Sequence, residues 1–140
     1  MPAGHTLVEV AVVLAMMGVV LAIGVPGAVA VRDRAFVGGA ANDVMTAFSS
    51  ARAWALRRGR RTAVTLDTTA VRLVVRAGAD TLLDRPLGAI HGVQLSATRD
   101  SMAYASDGMG YGASNLRIIL RRGREADTIV VSRLGRVRRQ

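Results

Sequence analysis

An uncharged apolar run near the start of the chain constrains its fold more than any other feature. No residue between Val10 and Val31 is charged, and Arg32 and Asp33 end the run abruptly. A helix over this run, at about 1.5 Å per residue, is about 33 Å long, enough to cross a hydrocarbon core of about 30 Å. The rest of a 140-residue chain is too small to enclose so long an apolar helix. We therefore predict a membrane-inserted helix.

A cleavable secretory signal is the alternative explanation of the run. It fits poorly, because no basic region precedes the run and the run is longer than a usual signal core. Pro26 lacks a backbone donor, which predicts a kink or a locally melted stretch. Glu9 lies one residue before the run. Its carboxylate is either interfacial or available to pair with a cation of a neighbouring subunit.

Composition and charge narrow the class of protein. The hydrophobic fraction, 51%, is too high for an intrinsically disordered chain. There are 19 basic residues, all of them Arg, against 10 acidic ones, so the net charge is +9. Such a charge attracts phosphate polymers, anionic lipids or acidic partners. The sequence has no Cys, which excludes disulfides, thiolate metal sites and a cysteine nucleophile.

After the apolar run we expect the helix to continue over residues 32–58 as an amphipathic segment ended by Gly59 as a left-handed cap. Apolar residues step there by three and four positions, which predicts one buried stripe: Val37, Ala41, Val44, Phe48, Ala51 and Ala55. Four arginines surround the helix end: Arg57, Arg58, Arg60 and Arg61. They either complement the helix dipole or contact a ligand.

Downstream of Gly59 the apolar period changes to two, which predicts strands. The strong candidates are 62–66, 71–76, 93–97, 116–121 and 128–133, and the weaker ones are 81–83 and 102–105. Arg122-Gly123-Arg124 is typical of a hairpin turn. The Gly-rich loop 106–115 lacks the pattern of a phosphate-binding loop. The predicted fold class is α+β, with a long N-terminal hydrophobic α-helix packed on a C-terminal antiparallel β-sheet domain, arranged as a meander.

The sequence offers no catalytic constellation. The two histidines are His5 and His91, and neither has a metal-ligand partner at useful spacing. We place His91 in a loop, where a lone histidine is usually only solvated. We predict no enzymatic activity, no metal site and no cofactor.

Arginines crowd into the last residues of the chain: Arg133, Arg136, Arg138 and Arg139. Guanidinium groups bind phosphate bidentately, so a flexible arginine-rich end suits a polyanion, although it could equally be a solvated terminus. At the other end of the last predicted strand, about 20 Å away, lie three further arginines: Arg121, Arg122 and Arg124. With the four arginines of the helix end, these form an accessory basic set. Few aromatic residues accompany them, which favours contact with the phosphate backbone over base reading.

The segment Gly4-His5-Thr6-Leu7-Val8-Glu9-Val10 resembles the processing site of type IV pilins and type II secretion pseudopilins. The resemblance implies that prepilin peptidase cleaves between Gly4 and His5 and that the new N-terminal residue is methylated. Glu9 then stands at the fifth mature position and pairs with the terminal amine of an adjacent subunit. It also implies a single-pass protein of the inner membrane with a periplasmic C-terminal domain, which later joins other pilin or pseudopilin subunits in a filament.

Three further segments resemble the GspH/FimT group of minor pilins: 51–59, 104–112, and 129–138 with its Gly-Arg-x-Arg motif. In the FimT branch the motif binds DNA during natural transformation, which implies a role for Arg136 and Arg138 in contacting double-stranded DNA without sequence preference. In the GspH branch the protein is a minor pseudopilin near the tip of a type II secretion pseudopilus. We favour DNA uptake and keep secretion as the alternative. A plain single-span membrane protein, which would not be processed, is the third reading.

The predicted organisation has three parts. Residues 1–4 are the leader and residues 5–31 the transmembrane or filament-core helix. Residues 32–140 are the pilin domain, composed of the amphipathic helix, a β-domain over 62–133 and an arginine-rich tail over 134–140.

Overall fold

The computed structural model describes residues 6–111 and 115–140. Its contacts divide the chain into two compact units, one ending at Arg32 and the other spanning Asp33–Gln140. The first helix, α1 (Leu7–Arg58), contributes to both units. All of the buried apolar side chains in the described residues belong to the second unit.

The first unit contains the apolar part of α1. The Thr6 hydroxyl accepts a hydrogen bond from the backbone N–H of Glu9 at 3.3 Å, which caps the first turn. The helix continues through Pro26, so the locally melted stretch predicted there is wrong for the described helix. Within the described residues, α1 is the one helix that is long and apolar enough to cross a membrane, and its most apolar window is wholly unburied.

The part of α1 in the second unit is amphipathic. Every residue of the predicted stripe is buried, together with Ala40 and Ala47 on the same face. The helix ends at Arg58, and Gly59 adopts φ +59°. Both the stripe and the left-handed cap are therefore confirmed.

The described residues after Gly59 form short strands and one short helix. In chain order they are β1 (Thr62–Asp67), β2 (Arg72–Ala77), β3 (Asp80–Arg85), α2 (Leu87–His91), β4 (Gln94–Ala97), β5 (Ser101–Tyr104), β6 (Gly110–Tyr111), β7 (Leu116–Arg122), β8 (Glu125–Val131) and β9 (Val137–Arg139).

The strands form two antiparallel sheets rather than the predicted meander. The first sheet has the order β3-β2-β1-β5-β6, and the second has the order β4-β7-β8-β9. The chain leaves the first sheet after β3, adds β4 to the second, and returns to pair β5 with β1. Such non-local pairing is decided by tertiary packing and not by the local alternation of apolar residues.

Helix α2 makes the first of these crossings. It follows Pro86 and ends at His91, and its cap is Gly92, which adopts φ +60° and donates its N–H to the carbonyl of Gly88 at 2.9 Å. Leu87 is its buried anchor. Five residues are too few to show a helical period, so this helix is absent from the predicted elements.

The inner faces of both sheets form one apolar core with the buried face of α1. Phe48 and Tyr104 are the largest side chains in it, and both are fully buried. Burying a Leu, Ile or Phe side chain contributes about 1.5–3 kcal/mol. The predicted α+β fold, a long N-terminal apolar helix with antiparallel sheets, is confirmed.

The chain end departs most from the prediction. The predicted β-domain ends at 133 and is followed by a flexible tail over 134–140. Instead β8 ends at Val131, and Val137–Arg139 returns as β9 to pair with it. The predicted strand 128–133 therefore begins and ends too late, because the Gly135 turn lets the chain reverse and use the otherwise open edge of β8.

Candidate nucleic-acid interface

The turn between β8 and β9, residues 132–136, is hydrogen-bonded within itself. The N–H of Ser132 donates to the carbonyl of Arg136 at 2.8 Å, and the N–H of Gly135 donates to the carbonyl of Ser132 at 2.8 Å. The Ser132 hydroxyl accepts the N–H of Arg136 at 3.1 Å. Arg136 therefore projects an exposed side chain from a fixed backbone rather than from a flexible tail.

Tyr104 holds this turn from the core side. Its hydroxyl donates a hydrogen bond to the carbonyl of Gly135 at 3.2 Å. Gly135 adopts φ +77°, and a β-carbon there would lie only 2.5 Å from Cε1 of the Tyr104 ring. Burial raises the pKa of Tyr104 to about 12, and the charge of Arg52 acts weakly in the opposite direction. The tyrosine therefore stays protonated and remains a donor at physiological pH.

The residues of β9 alternate between two environments. Arg138 pairs with Val130 and is exposed on the outer side of the second sheet. Arg139 points to the other side, where its Nε lies 2.6 Å from Oδ2 of Asp127, a side chain that is only 6% exposed. No group in the described part of the chain makes a hydrogen bond of good geometry to that oxygen, so Arg139 mainly supplies compensating charge. Arg139 was predicted to contact DNA; its side chain is 47% exposed and is paired with Asp127, and a DNA contact by it stays a prediction.

Arg133 stands at the start of the turn and is exposed. Its N–H donates to Oδ1 of Asn115 at 3.3 Å, so its backbone is anchored while its side chain reaches solvent. All four predicted arginines are exposed, and within the described residues Arg139 is the one that forms an ion pair with a carboxylate.

Further arginines lie on the outer face of the second sheet, which also carries Arg138. It consists of Gln94, Ser96, Arg117, Ile119, Arg121, Ala126, Thr128, Val130 and Arg138, which alternate with buried neighbours. Arg117 and Arg138 flank Val130 from either side, about 10 Å apart across two strand spacings. The described positions of this face include no Asp or Glu. Arg117 was missed because only the register of β7 with β8 brings it beside Arg138.

Arg122, one of the predicted accessory arginines, is occupied by structural contacts. Its Nε donates to Oδ1 of Asp33 at 2.9 Å, its guanidinium lies 4.2 Å from the centroid of the Phe36 ring, and it also donates to the carbonyl of His91. Asp33 is 7% exposed and needs a positive partner. Arg122 therefore pairs inward, whereas Arg121 and Arg124 are exposed.

The helix-end arginines separate into two groups. Arg57 and Arg58 are exposed in the last turn of α1, where positive charge complements the helix dipole. Arg60 and Arg61 line a groove of about 470 Å³ on the outer face of the first sheet. The Arg61 guanidinium lies 4.6 Å from the centroid of the Tyr111 ring. The helix dipole therefore accounts only for the first pair.

His91 is not the solvated loop residue that the sequence predicted. It ends α2, its Nε2 lies 3.0 Å from Oδ2 of Asp43, and its side chain is 14% exposed. Among residues 6–111 and 115–140, no three His, Cys, Asp or Glu side chains are grouped to hold a metal ion.

The predicted processing site, Gly4 and His5, lies outside the described residues. Glu9 is described, in the first turn of α1. A carboxylate at that position also complements the helix dipole, so its placement is compatible with a local role as well as with subunit pairing.

Comparisons with known proteins agree with this architecture. The family model described as "Type II transport protein GspH" matches residues 40–135, so the match ends at Gly135. A search of the curated proteins finds no significant match.

Solved structures share the fold. The type IV minor pilin FimU of Pseudomonas aeruginosa superposes with a TM-score of 0.64 at 13% identity, covering 74% of this chain and 87% of FimU. The minor pseudopilin EpsH from the type 2 secretion system of Vibrio cholerae superposes with a TM-score of 0.57 at 16% identity, covering 74% of this chain and 95% of EpsH.

The family and the two structural neighbours are filament subunits and not enzymes. The single apolar N-terminal helix fits a single-pass membrane anchor and assembly with other pilin subunits. A family match over more than half of the chain, with a pilin-like fold, identifies the chain as a member of the GspH family of minor pilins and pseudopilins.

Proposed function

We propose that this chain is a minor pilin that captures double-stranded DNA for uptake in natural transformation. The observation that carries the proposal is the shared orientation of Arg117 and Arg138, which project from one face on either side of Val130. Arg136 and Arg133 continue the surface along the 132–136 turn. The charge of +9 supports attraction to a polyanion.

The chemistry of this surface suits the phosphate backbone. Duplex DNA presents one negative charge per about 1.7 Å of helix axis, so arginines about 10 Å apart meet several phosphates without a precise register. Aromatic residues that could stack on bases are scarce, with only 4% of the chain being Phe, Trp or Tyr. We therefore infer binding without sequence preference.

The test is fluorescence anisotropy with a labelled duplex across a salt series. A soluble fragment beginning at Arg32 retains every described buried apolar side chain, so it keeps the core. The test variant is Arg136→Gln with Arg138→Gln. The matched control is Arg34→Gln with Arg85→Gln, which removes the same charge from exposed positions that lie outside the 132–136 turn and outside the accessory basic set.

If the proposal is right, affinity falls steeply with salt, and the test variant lowers the log–log slope by about two while the control leaves it nearly unchanged. If the parent does not bind at low salt, or if the test variant behaves like the parent, the DNA-capture function is wrong.

The second candidate is a minor pseudopilin with a structural role at the tip of a type II secretion filament. The description of the matching family model and the likeness to EpsH favour it as strongly as FimU favours a pilus. In that case the arginines of the 132–136 turn serve solubility, and DNA binding is absent.

Either role requires membrane insertion and maturation. We infer that prepilin peptidase cleaves between Gly4 and His5, that the C-terminal domain lies in the periplasm, and that Glu9 pairs with a neighbouring subunit. The apolar, unburied first part of α1 supports insertion in the inner membrane before assembly.

A further inference from the structure

A groove on the outer face of the first sheet gathers three guanidinium groups. Arg60, Arg61 and Arg76 line a space of about 470 Å³, and the other lining residues are small or polar: Ala63, Thr65 and Gly78. The groove, which we call the arginine groove, lies just beyond the C-terminal end of α1 and uses β1 and β2 as its floor.

The register of the first sheet explains its shape. Ala63 pairs with Arg76 on one side and with Ala103 on the other, and Ala103 pairs with Tyr111. These four residues form one row across the sheet and face the same side. Because Ala63 is small, the floor of the groove carries little side-chain bulk there, and Arg76 flanks Ala63 on the β2 side.

Two of the arginines are held in place. The Arg61 guanidinium lies over the Tyr111 ring, which orients its charge beside the groove. Arg60 reaches the turn after β2, where a β-carbon at Gly78 would lie 3.3 Å from its Nη2. Neither these two arginines nor Arg76 forms an ion pair with a carboxylate of the described residues. Three like charges line one space, so a bound anion would relieve their repulsion.

The 132–136 turn contacts strand β6, which is the edge strand of the sheet that carries the arginine groove. Gly110 precedes Tyr111 in β6, and a β-carbon at Gly110 would lie 2.6 Å from the carbonyl oxygen of Arg133 and 3.3 Å from the N of Gly135. Gly110 faces the opposite side of the sheet from Tyr111, so the turn meets β6 from its core side, and both β5 and β6 lie between the turn and the floor of the groove. A ligand that bridges both must be elongated and repeatedly charged.

We propose that the arginine groove binds the sugar–phosphate backbone of DNA, as a second contact beside the 132–136 turn. This inference rests on the proposed DNA-capture function and extends it to residues that the C-terminal motif does not include. Arginine binds phosphate oxygens bidentately, and the small floor residues leave room for a backbone to approach.

A lipid surface fits this groove less well. Binding at a membrane interface requires apolar side chains that insert between lipids, and the groove is lined by arginine, alanine, threonine and glycine. An acidic protein segment is the remaining competitor, and it would leave DNA binding unaffected by changes in the groove.

The test uses the full chain in a neutral detergent and a short labelled DNA duplex, titrated between about 50 and 200 mM salt. The groove variant is Arg60→Gln with Arg76→Gln, and Arg60→Lys with Arg76→Lys keeps the charge. The turn variant is Arg136→Gln with Arg138→Gln, and the control is again Arg34→Gln with Arg85→Gln. Thermal melting checks that each variant folds.

We expect the groove variant to lower the log–log slope by about two and to bind about 10- to 100-fold more weakly near 0.1 M salt, with the lysine pair restoring most of the slope. The control should stay near the parent. If the groove variant binds DNA as tightly as the parent and the control, the arginine groove is not a DNA contact. In that case the proposed DNA-capture function still stands if the turn variant binds more weakly than the parent. If the parent itself does not bind, both proposals fail.

Discussion

The hydroxyl of Tyr104 donates a hydrogen bond to the carbonyl of Gly135 at 3.2 Å, joining the buried end of β5 to the turn that presents Arg136. The tyrosine is fully buried, and the glycine backbone lies directly against its ring. The basic turn is thus fastened to the core. Changes in the core at this point should therefore alter both stability and the presentation of the arginines.

We predict that Gly135→Ala destabilises the domain by about 2–4 kcal/mol. The positive φ costs a side chain about 1–2 kcal/mol, and the clash with the Tyr104 ring adds the cost of overpacking. Gly59→Ala is the matched control, because Gly59 has φ +59° but open space around it, so about 1 kcal/mol is expected. Urea denaturation of both variants measures the difference, and equal losses would show that the ring contact is unimportant.

The raised pKa of Tyr104 predicts a loss of stability in alkali. An unfolded tyrosine releases its proton near pH 10, whereas the folded one retains it to about 12. Between these values the unfolded state binds fewer protons, so the free energy of unfolding falls as pH rises. The stabilisation that arises from the raised pKa of Tyr104 is fully present below pH 10. About 2–3 kcal/mol of it is lost by pH 12.

Tyr104→Phe tests this pH dependence. The variant should lose about 1 kcal/mol at neutral pH with the hydrogen bond to Gly135, and its stability should fall less steeply between pH 10 and 12. Tyr111→Phe keeps Tyr104 and should retain the parental decline. If the stability of the Tyr104 variant fell as much as that of the parent between pH 10 and 12, Tyr104 would not be the cause of the loss in alkali.

The buried ion pair of Asp33 and Arg122 should matter more than an exposed one. Arg122→Ala removes this partner from Asp33, which is only 7% exposed in the parent, and we expect the loss to cost about 2–3 kcal/mol. Arg34→Ala breaks the ion pair of Arg34 with Glu125. Because the Arg34 side chain is 74% exposed, this loss should cost less than about 1 kcal/mol. Thermal denaturation compares them, and similar losses would refute the structural role of Arg122.

The roles proposed for Glu9 can be separated in cells. Glu9→Ala should abolish incorporation into filaments if its carboxylate pairs with a neighbouring subunit. Thr6→Ala removes the hydroxyl that caps the same turn, worth about 1 kcal/mol, but keeps the carboxylate, so incorporation should persist. Immunoblots of sheared filaments measure both, and mass spectrometry of the parent should show the loss of Met1–Gly4. Equal defects in the two variants would favour a helix-capping role.

Local signals were sufficient for much of the architecture. The buried stripe of α1 follows from apolar spacing, because a 3.6-residue period places those side chains on one face whatever they pack against. The end of the helix follows from Gly59, since few other residues adopt positive φ at low cost. The seven predicted strands were located to within a few residues, because most of them, such as β1 and β7, alternate between a buried and an exposed face.

The placement of the arginines was decided by tertiary structure. In the sequence, Arg138 and Arg139 are equivalent neighbours, yet the register of β9 turns one to solvent and the other to Asp127. Arg122 lies in a run of basic residues, but the buried Asp33 captures it. The charge of a side chain is a property of the residue, whereas its availability to a ligand depends on which buried group the fold brings beside it. The sequence alone therefore determined that this chain is basic and carries one long apolar helix, and only strand pairing determined which of its arginines face outward.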